Sequence, residues 1–535
     1  MTFSSGRRTR PPRTGRRPWP PRTGRRRTAL VAAAMAAVFL AVGPSSAAGP
    51  VIPPHPKPLG IGDPLFPQLG NPGYDVTAYD LAFDYHRQDR PLDAVTTIDA
   101  RATAALRTIN LDFTQGTVDS VRVDGARARF VTTGEDLVII PSAPVRRGAA
   151  FRITVRHTSD PRGGASGGWV RTSDGLAMAN QANAAHRVFP CNDHPADKAR
   201  FTFRITAPKS LTVVANGLAG QRVRKGSRTT WTYRLAHPMA TELAQISIGR
   251  SAVPRRTGPH GLPMRDVVPA ADRTRLEKWL ARTPGQLGWM EKKAGRYPFE
   301  NYGVLIAHAT TGFELETQTL SLFERDLFTS GQLPRWYIES IMVHELAHQW
   351  FGDSVSPRRW SDLWLNEGHA TWYEALYADE HGKASLKRRM RKAYGQSDTW
   401  RAEAGPPAAP KPADPDQQIG IFRPIVYDGG ALVLYALRQR IGRTAFERLE
   451  RQWVLRHRDG VASTADFIRL ASEVAGRDLS GFLRPWLYGR TTPPMPGHPD
   501  WKPAAQQTAK GAAPPGARAG RHAVRHAVPW AVKPG

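Results

Sequence analysis

The chain has 535 residues, enough for two or three domains with sizeable cores. Its single cysteine, Cys191, excludes an intramolecular disulfide and any multi-cysteine metal site. The formal net charge is +29, but ten arginines lie in residues 1–28 and six Lys/Arg in 501–535, which leaves +13 spread through 51–500 without a basic helix or aromatic-interleaved patch, so no nucleic-acid partner is expected.

Residues 1–48 read as a basic leader and secretory signal peptide. The phrase PPRTGRR stands at 11–17 and again at 20–26, an apolar run covers Ala29–Val42, and small residues offer a cut near Ala47–Ala48. That run of 14 residues falls short of the ~20 that a spanning helix needs, so no stable membrane span is expected after cleavage. The expected location is secreted or extracellular, with cell-envelope association and the export route, general secretory or twin-arginine, left open.

Residues 49–70 are rich in Pro and Gly and read as a linker. Residues 71–253 carry short alternating segments rich in Val, Thr, Ile and Phe (Tyr79–Tyr85, Thr108–Asp112, Asp136–Ile140, Ala150–Val155, Phe201–Ile205, Thr229–Tyr233), the pattern of an all-β domain. From 254 to 490 the texture is mostly helical. Helical spacing runs over Asp272–Ala294, a strand over Tyr302–His308, and a long helix over Arg335–Trp350 with apolar residues at 338, 341, 342 and 346. Further helices are expected at Asp362–His381, Gly430–Ile441 and Thr444–Arg456, and one starting at Ser463, an N-cap with Asp466 at N3. Residues 402–418 read as a Pro/Ala/Asp-rich loop, and 491–535 as a disordered Pro/Ala-rich basic tail.

The chemistry concentrates in His344-Glu345-Leu346-Ala347-His348. Two histidines four apart share one helix face, a spacing that lets both imidazoles reach one zinc ion at ~2.0–2.1 Å. Glu367, after 18 intervening residues, starts the next helical stretch and is the third ligand, leaving a position open for water. One Zn2+ ion is therefore expected. Glu345 is turned about 100° around the helix from His344. It stands where a general base for that water is needed. Glu374, two turns beyond Glu367, faces the same way; it is either a hydrogen-bond partner for a ligating histidine or a surface glutamate.

HELAHQWFGD at 344–353 and WLNEGHATWYE at 364–374 resemble the aminopeptidase N and leukotriene hydrolase superfamily of zinc peptidases. Phe189-Pro-Cys-Asn-Asp-His-Pro at 189–195, followed by Lys198, and the stretch Trp231–Gly249 resemble its β-domain. The resemblance implies a multidomain α+β fold. An N-terminal all-β, saddle-like domain would precede a thermolysin-like catalytic domain with α/β and helical parts. The large helical C-terminal domain of many relatives is not expected after the Trp486-Leu-Tyr-Gly phrase.

The same resemblance implies substrate-binding roles for Glu316 and Gln181. Glu316 stands 28 residues before His344, in Leu315-Glu316-Thr317, where the family has Met-Glu-Asn and uses the glutamate to recognise a free amino terminus. Gln181 lies nine residues before Pro190 and matches a second amine-contacting position. Tyr427, in Val426-Tyr427-Asp428-Gly429-Gly430, matches the tyrosine that steadies the transition state. The chain departs from the family at Glu314 (a small residue elsewhere), Thr317 (asparagine) and Gly429 (lysine).

These readings converge on a secreted, monomeric, zinc-dependent aminopeptidase acting on peptides with a free N-terminus. The alternatives are a thermolysin-type zinc endopeptidase and a catalytically silent binding protein on the same scaffold.

Overall fold

The computed structural model describes residues 60–162, 167–309, 311–413 and 420–503. The leader and signal region, residues 414–419 of the expected loop and residues 504–535 of the expected tail lie outside the described residues. Among the described residues no helix is long and apolar enough to cross a membrane.

The N-terminal part is built on a ten-stranded sheet. At its centre Tyr74–Asp84 pairs antiparallel with Leu92–Ala102 and parallel with Arg200–Pro208. Leu92, Ala94, Ile98, Ala100 and Ala102 recur at period two and are buried. That alternation packs one face of the sheet on a core and leaves the other to solvent. A four-stranded sheet, ordered Thr212–Ala215, Ile246–Gly249, Leu176–Ala179 and Gly168–Arg171, ends beside the loop that carries Gln181.

The second part joins the first through strands buried on both faces. Val304–Ala307 pairs in parallel with Ser321–Glu324. Val304, Ile306 and Phe323 face the helical core, while Leu305, Ala307 and Leu322 face the β core. The uninterrupted Val-Leu-Ile-Ala run is the sequence of a strand covered on both sides. Helices follow at Arg335–Ala347, Trp364–Glu380, Leu386–Ala404, Asp428–Ile441, Arg443–His457, Thr464–Ala475 and Ser480–Tyr488. The fold is thus a β-rich N-terminal domain followed by a mainly helical catalytic domain. Ser463 does cap its helix: its N–H donates to Asp466 Oδ2 at 2.9 Å, and Asp466 N–H donates to Ser463 Oγ at 3.3 Å.

Three expectations are corrected. Residues 60–70 of the expected linker are packed structure: Asp63 is buried, lies 3.1 Å from His194 Nε2 of the β domain and accepts Trp360 N–H of the catalytic domain at 2.8 Å. Residues 491–503 of the expected disordered tail pack on the helices through Met495 and Trp501, which stacks on Tyr435 at 5.8 Å. The helical spacing over Asp272–Ala294 takes the form of two helices, Arg273–Leu280 and Thr283–Ala294, because Pro284 fits the first turn of a helix but not its interior. Finally, residues 402–404 finish the helix Leu386–Ala404, which the composition of its basic first half conceals.

Lys198 ties the two domains near the site. Its Nζ donates to the carbonyls of Asp353 at 2.6 Å and Ser354 at 2.9 Å, in the turn that follows the histidine-bearing helix. Burial lowers the Lys198 pKa to about 8.

Candidate active site

The helix Arg335–Ala347 buries Ile338, Met342, Val343 and Leu346 in the catalytic core, which fixes its rotation and turns His344 and His348 to one side. His344 Nδ1 lies 3.2 Å from Glu374 Oε2, and His348 Nδ1 lies 3.2 Å from the Phe351 carbonyl. Each Nδ1–H thus has an acceptor, which leaves each Nε2 as a lone-pair donor. Both Nε2 atoms face the same oxygen, Glu367 Oε2, at 3.4 and 3.5 Å.

That triangle fits zinc. Three donors each ~2.0–2.1 Å from one centre at tetrahedral angles stand about 3.3–3.4 Å apart. Glu367 Oε2 is buried and meets no hydrogen-bond donor of the protein, a costly state for a carboxylate oxygen that a cation would relieve. His344, His348 and Glu367 form a candidate zinc site.

Glu367 reaches this point because two helices meet backbone to backbone. Gly368, its neighbour, touches Gly430 of the helix Asp428–Ile441. A Cβ on Gly368 would lie 2.9 Å from Gly430 Cα, and one on Gly430 would lie 2.8 Å from Gly368 Cα. The same crossing brings Tyr427, which caps that second helix, against His344, with ring centroids 5.9 Å apart and planes at 23°. Burial, and then the carboxylates of Glu367, Glu316 and Glu345, push the Tyr427 phenol well above its ordinary pKa, so it keeps its proton.

Glu345 is buried, and its Oε2 also has no hydrogen-bond partner. Burial raises its carboxyl well above the ordinary range, His348 opposes this, and Glu316, Glu314 and Glu367 add to the rise. Carboxylate oxygens of Glu316 and Glu345 and a nitrogen of His348 lie within 4.8 Å of one another.

Glu316 is 3 % exposed and accepts a hydrogen bond from Gln181 Nε2 at 2.6 Å. The two residues come from different domains, so the domain junction builds this corner of the site. Gln349, next to His348, was not singled out in the sequence. Its Nε2 donates to the Glu316 carbonyl at 3.0 Å and its Oε1 accepts from Thr319 N–H at 2.8 Å, tying the Glu316 segment to the histidine helix. Thr317, in the asparagine's place, turns away: its hydroxyl donates to the Leu320 carbonyl and closes a turn. Gly429, in the lysine's place, packs on Ile425, where a Cβ would meet Cδ1 at 2.9 Å.

Glu374 is buried rather than on the surface. Besides facing His344, it accepts Arg389 Nη1 at 2.7 Å, and Arg389 Nε donates to Asp428 at 2.9 Å. Burial would raise the Glu374 carboxyl, but Arg389 and His344 outweigh it and hold it at about 2. Arg389 is the second residue that sequence reasoning missed. It sits in the run Lys387-Arg388-Arg389, which reads as a solvated face, although Leu386, Met390, Ala393 and Tyr394 around it carry a helical apolar stripe.

The peptidase family M1 domain matches residues 284–486, and the peptidase M1 N-terminal domain matches residues 76–243. A solved M1 zinc metallopeptidase from Deinococcus radiodurans is 29% identical, superposes with a TM-score of 0.69, and is matched over 83% of this chain and 99% of its own. Among curated relatives, the tricorn protease-interacting factor F2 of Thermoplasma acidophilum is 25% identical over 443 residues, which cover 78% of this chain and 53% of the relative. Aminopeptidase N of Streptomyces lividans is 27% identical over 319 residues, 57% of this chain and 36% of the relative. The chain thus spans about half or less of the length of these curated relatives. Both domains and the zinc site assign the chain to peptidase family M1, the zinc metallopeptidases.

Proposed function

We propose that this chain is an exported aminopeptidase that removes the first residue of peptides carrying a free amino terminus. The observation that carries the reading is the Glu316–Gln181 pair beside His348 and Glu345. A buried carboxylate this close to the metal site binds an α-ammonium well and an acylated nitrogen badly. Anchoring the terminus there places the first carbonyl, and no later one, over the zinc ligands.

His344, His348 and Glu367 would hold the zinc, which when bound would supply the Lewis acidity that acidifies a water and polarises a carbonyl. Glu345 takes the proton of the attacking water and returns it to the leaving nitrogen. The Tyr427 hydroxyl donates to the oxygen on which negative charge develops. Glu374 and Arg389 hold His344 in the tautomer that presents Nε2.

Export rests on the sequence of residues 1–48, with its basic leader, apolar run and small-residue cut. It predicts a mature N-terminus near residue 49 when the chain is produced in a secreting host, read by mass spectrometry; full-length protein retained in the cytosol would overturn it.

The test of the activity is a pair of assays with alanyl-p-nitroanilide and its N-acetyl form, on metal-stripped and zinc-restored protein. Hydrolysis of the free-amine substrate alone, and only with zinc, is the expected result. Equal hydrolysis of both forms would indicate an endopeptidase, and none of either a silent scaffold.

A further inference from the structure

Resting on the aminopeptidase reading, we propose that Glu314 selects substrates whose second residue is cationic, a lysine or an arginine.

Leu315 exchanges backbone hydrogen bonds with Leu322, accepting at 2.7 Å and donating at 2.9 Å, so the chain is extended here. Its side chain is fully buried in the β core. Alternation therefore sends Glu314 and Glu316 to the opposite face, the one that holds the zinc ligands, about 6.5 Å apart along the strand. Glu316 keeps to the His348 end of the site, with Oε1 3.9 Å from Nδ1 of that ring. Glu314 lies towards the other end: Gln349 holds the Glu316 carbonyl and Thr319 at one end of the histidine helix, and Ser321, one residue before the Leu322 that pairs with Leu315, donates to the Glu345 carbonyl at 3.4 Å, so the strand pair runs along the helix from Gln349 past Glu345 as it leads back to Glu314.

The order along the site is thus Glu316, His348, His344, Glu314. A peptide with its α-ammonium on Glu316 and its first carbonyl over the zinc ligands must continue towards Glu314. The offset of about 6.5 Å between the two glutamates is close to the advance of two residues of extended chain. Glu314 then meets the residue beyond the scissile bond rather than the one being released.

The position is held firmly. Glu324 Oε1 accepts Gly312 N–H at 2.6 Å and the Thr311 hydroxyl at 2.9 Å, pinning the turn that leads into Glu314. Glu324 also adds negative potential beside it. A carboxylate in this place favours an arriving ammonium or guanidinium through a charge-assisted hydrogen bond. Glu314 is partly exposed, unlike Leu315 and Glu316, so a substrate side chain can reach it.

The test compares kcat/KM for Ala-Lys-Ala, Ala-Gln-Ala and Ala-Glu-Ala with the wild-type zinc enzyme and with Glu314→Gln and Glu314→Arg. The wild type should prefer lysine over glutamine about tenfold and disfavour glutamate further. Glu314→Gln should bring the lysine-to-glutamine ratio near one, and Glu314→Arg should favour Ala-Glu-Ala. Because the readout is a ratio within each protein, a general loss of activity does not disturb it, and the wild-type ratio stands even if a variant fails to fold. Turnover of all three peptides without a preference, or one ratio shared by all three proteins, would overturn the role of Glu314 alone. No turnover of any peptide or of alanyl-p-nitroanilide would overturn the aminopeptidase reading and this proposal with it.

Discussion

His344 faces the Glu374 carboxylate at 3.2 Å, on the ring nitrogen opposite the one it offers to zinc. A carboxylate in this place fixes the tautomer and raises the basicity of the ligand. Replacing Glu374 with alanine should weaken zinc binding by about 10- to 100-fold. Competition with a chelator of known affinity measures this. Arg389→Ala should shift it in the same direction by less, since it leaves the carboxylate but removes the group that orients it.

Glu345 touches none of the three ligands in the way Glu374 does, yet it is buried among charges with one oxygen unbonded. Glu345→Gln should keep one zinc per chain by elemental analysis while kcat falls by roughly 10²–10⁴, the range of a lost general base. Loss of the metal together with activity would assign Glu345 to holding the site instead.

Glu316→Gln keeps the size of the side chain and removes its charge. The kcat/KM for a free-amine substrate should fall by about 10-fold or more, the cost of a charge-assisted hydrogen bond. The discrimination between free and acetylated amines should collapse with it. Gln181→Ala should raise KM more than it lowers kcat, because Gln181 reaches the substrate's anchor and not the scissile bond.

A pH effect on stability arises in the β domain, on the strand Ala150–Ser159. His157 is buried, with Nδ1 3.0 Å from the Thr158 carbonyl and Nε2 2.9 Å from the Thr96 hydroxyl, a pair of bonds that suits the neutral ring. Burial, partly opposed by the Thr158 carbonyl, lowers its pKa to about 4 from 6.5. Between those values the unfolded chain takes up a proton that the folded chain refuses. Stability is therefore lost as pH falls from about 6.5 to about 4, by up to about 3 kcal/mol from this group. Urea denaturation at pH 7, 6, 5 and 4 should show that decline, and His157→Gln should flatten it.

The parts legible in the sequence were those with a short-range signature. The four-residue spacing of the histidines, the helix that brings Glu367, and the period-two strands of the β domain follow from local geometry. Tyr427 and Gln181 needed the family resemblance, since no periodicity connects them to the zinc helix. Residues that act across distant segments stayed hidden. Arg389 looks like one more surface cation until the helix that carries it folds against Glu374 and Asp428. Gln349 looks like a helix-end polar residue until it bonds both Glu316 and Thr319. Asp63 and Trp501 lie in Pro-rich stretches whose composition suggests no packing at all, and only the tertiary fold gives them partners.

The Gly368–Gly430 crossing has a consequence for how this site can change. Because the two main chains touch, the spacing between Glu367 and Tyr427 is a property of the scaffold rather than of any rotamer. Substitutions lining the cleft can alter which peptides enter without retuning the distance between metal ligand and phenol. The chemistry is in that sense insulated from the specificity, and variation at positions such as Glu314 is free to explore new substrates over an unchanged reaction centre.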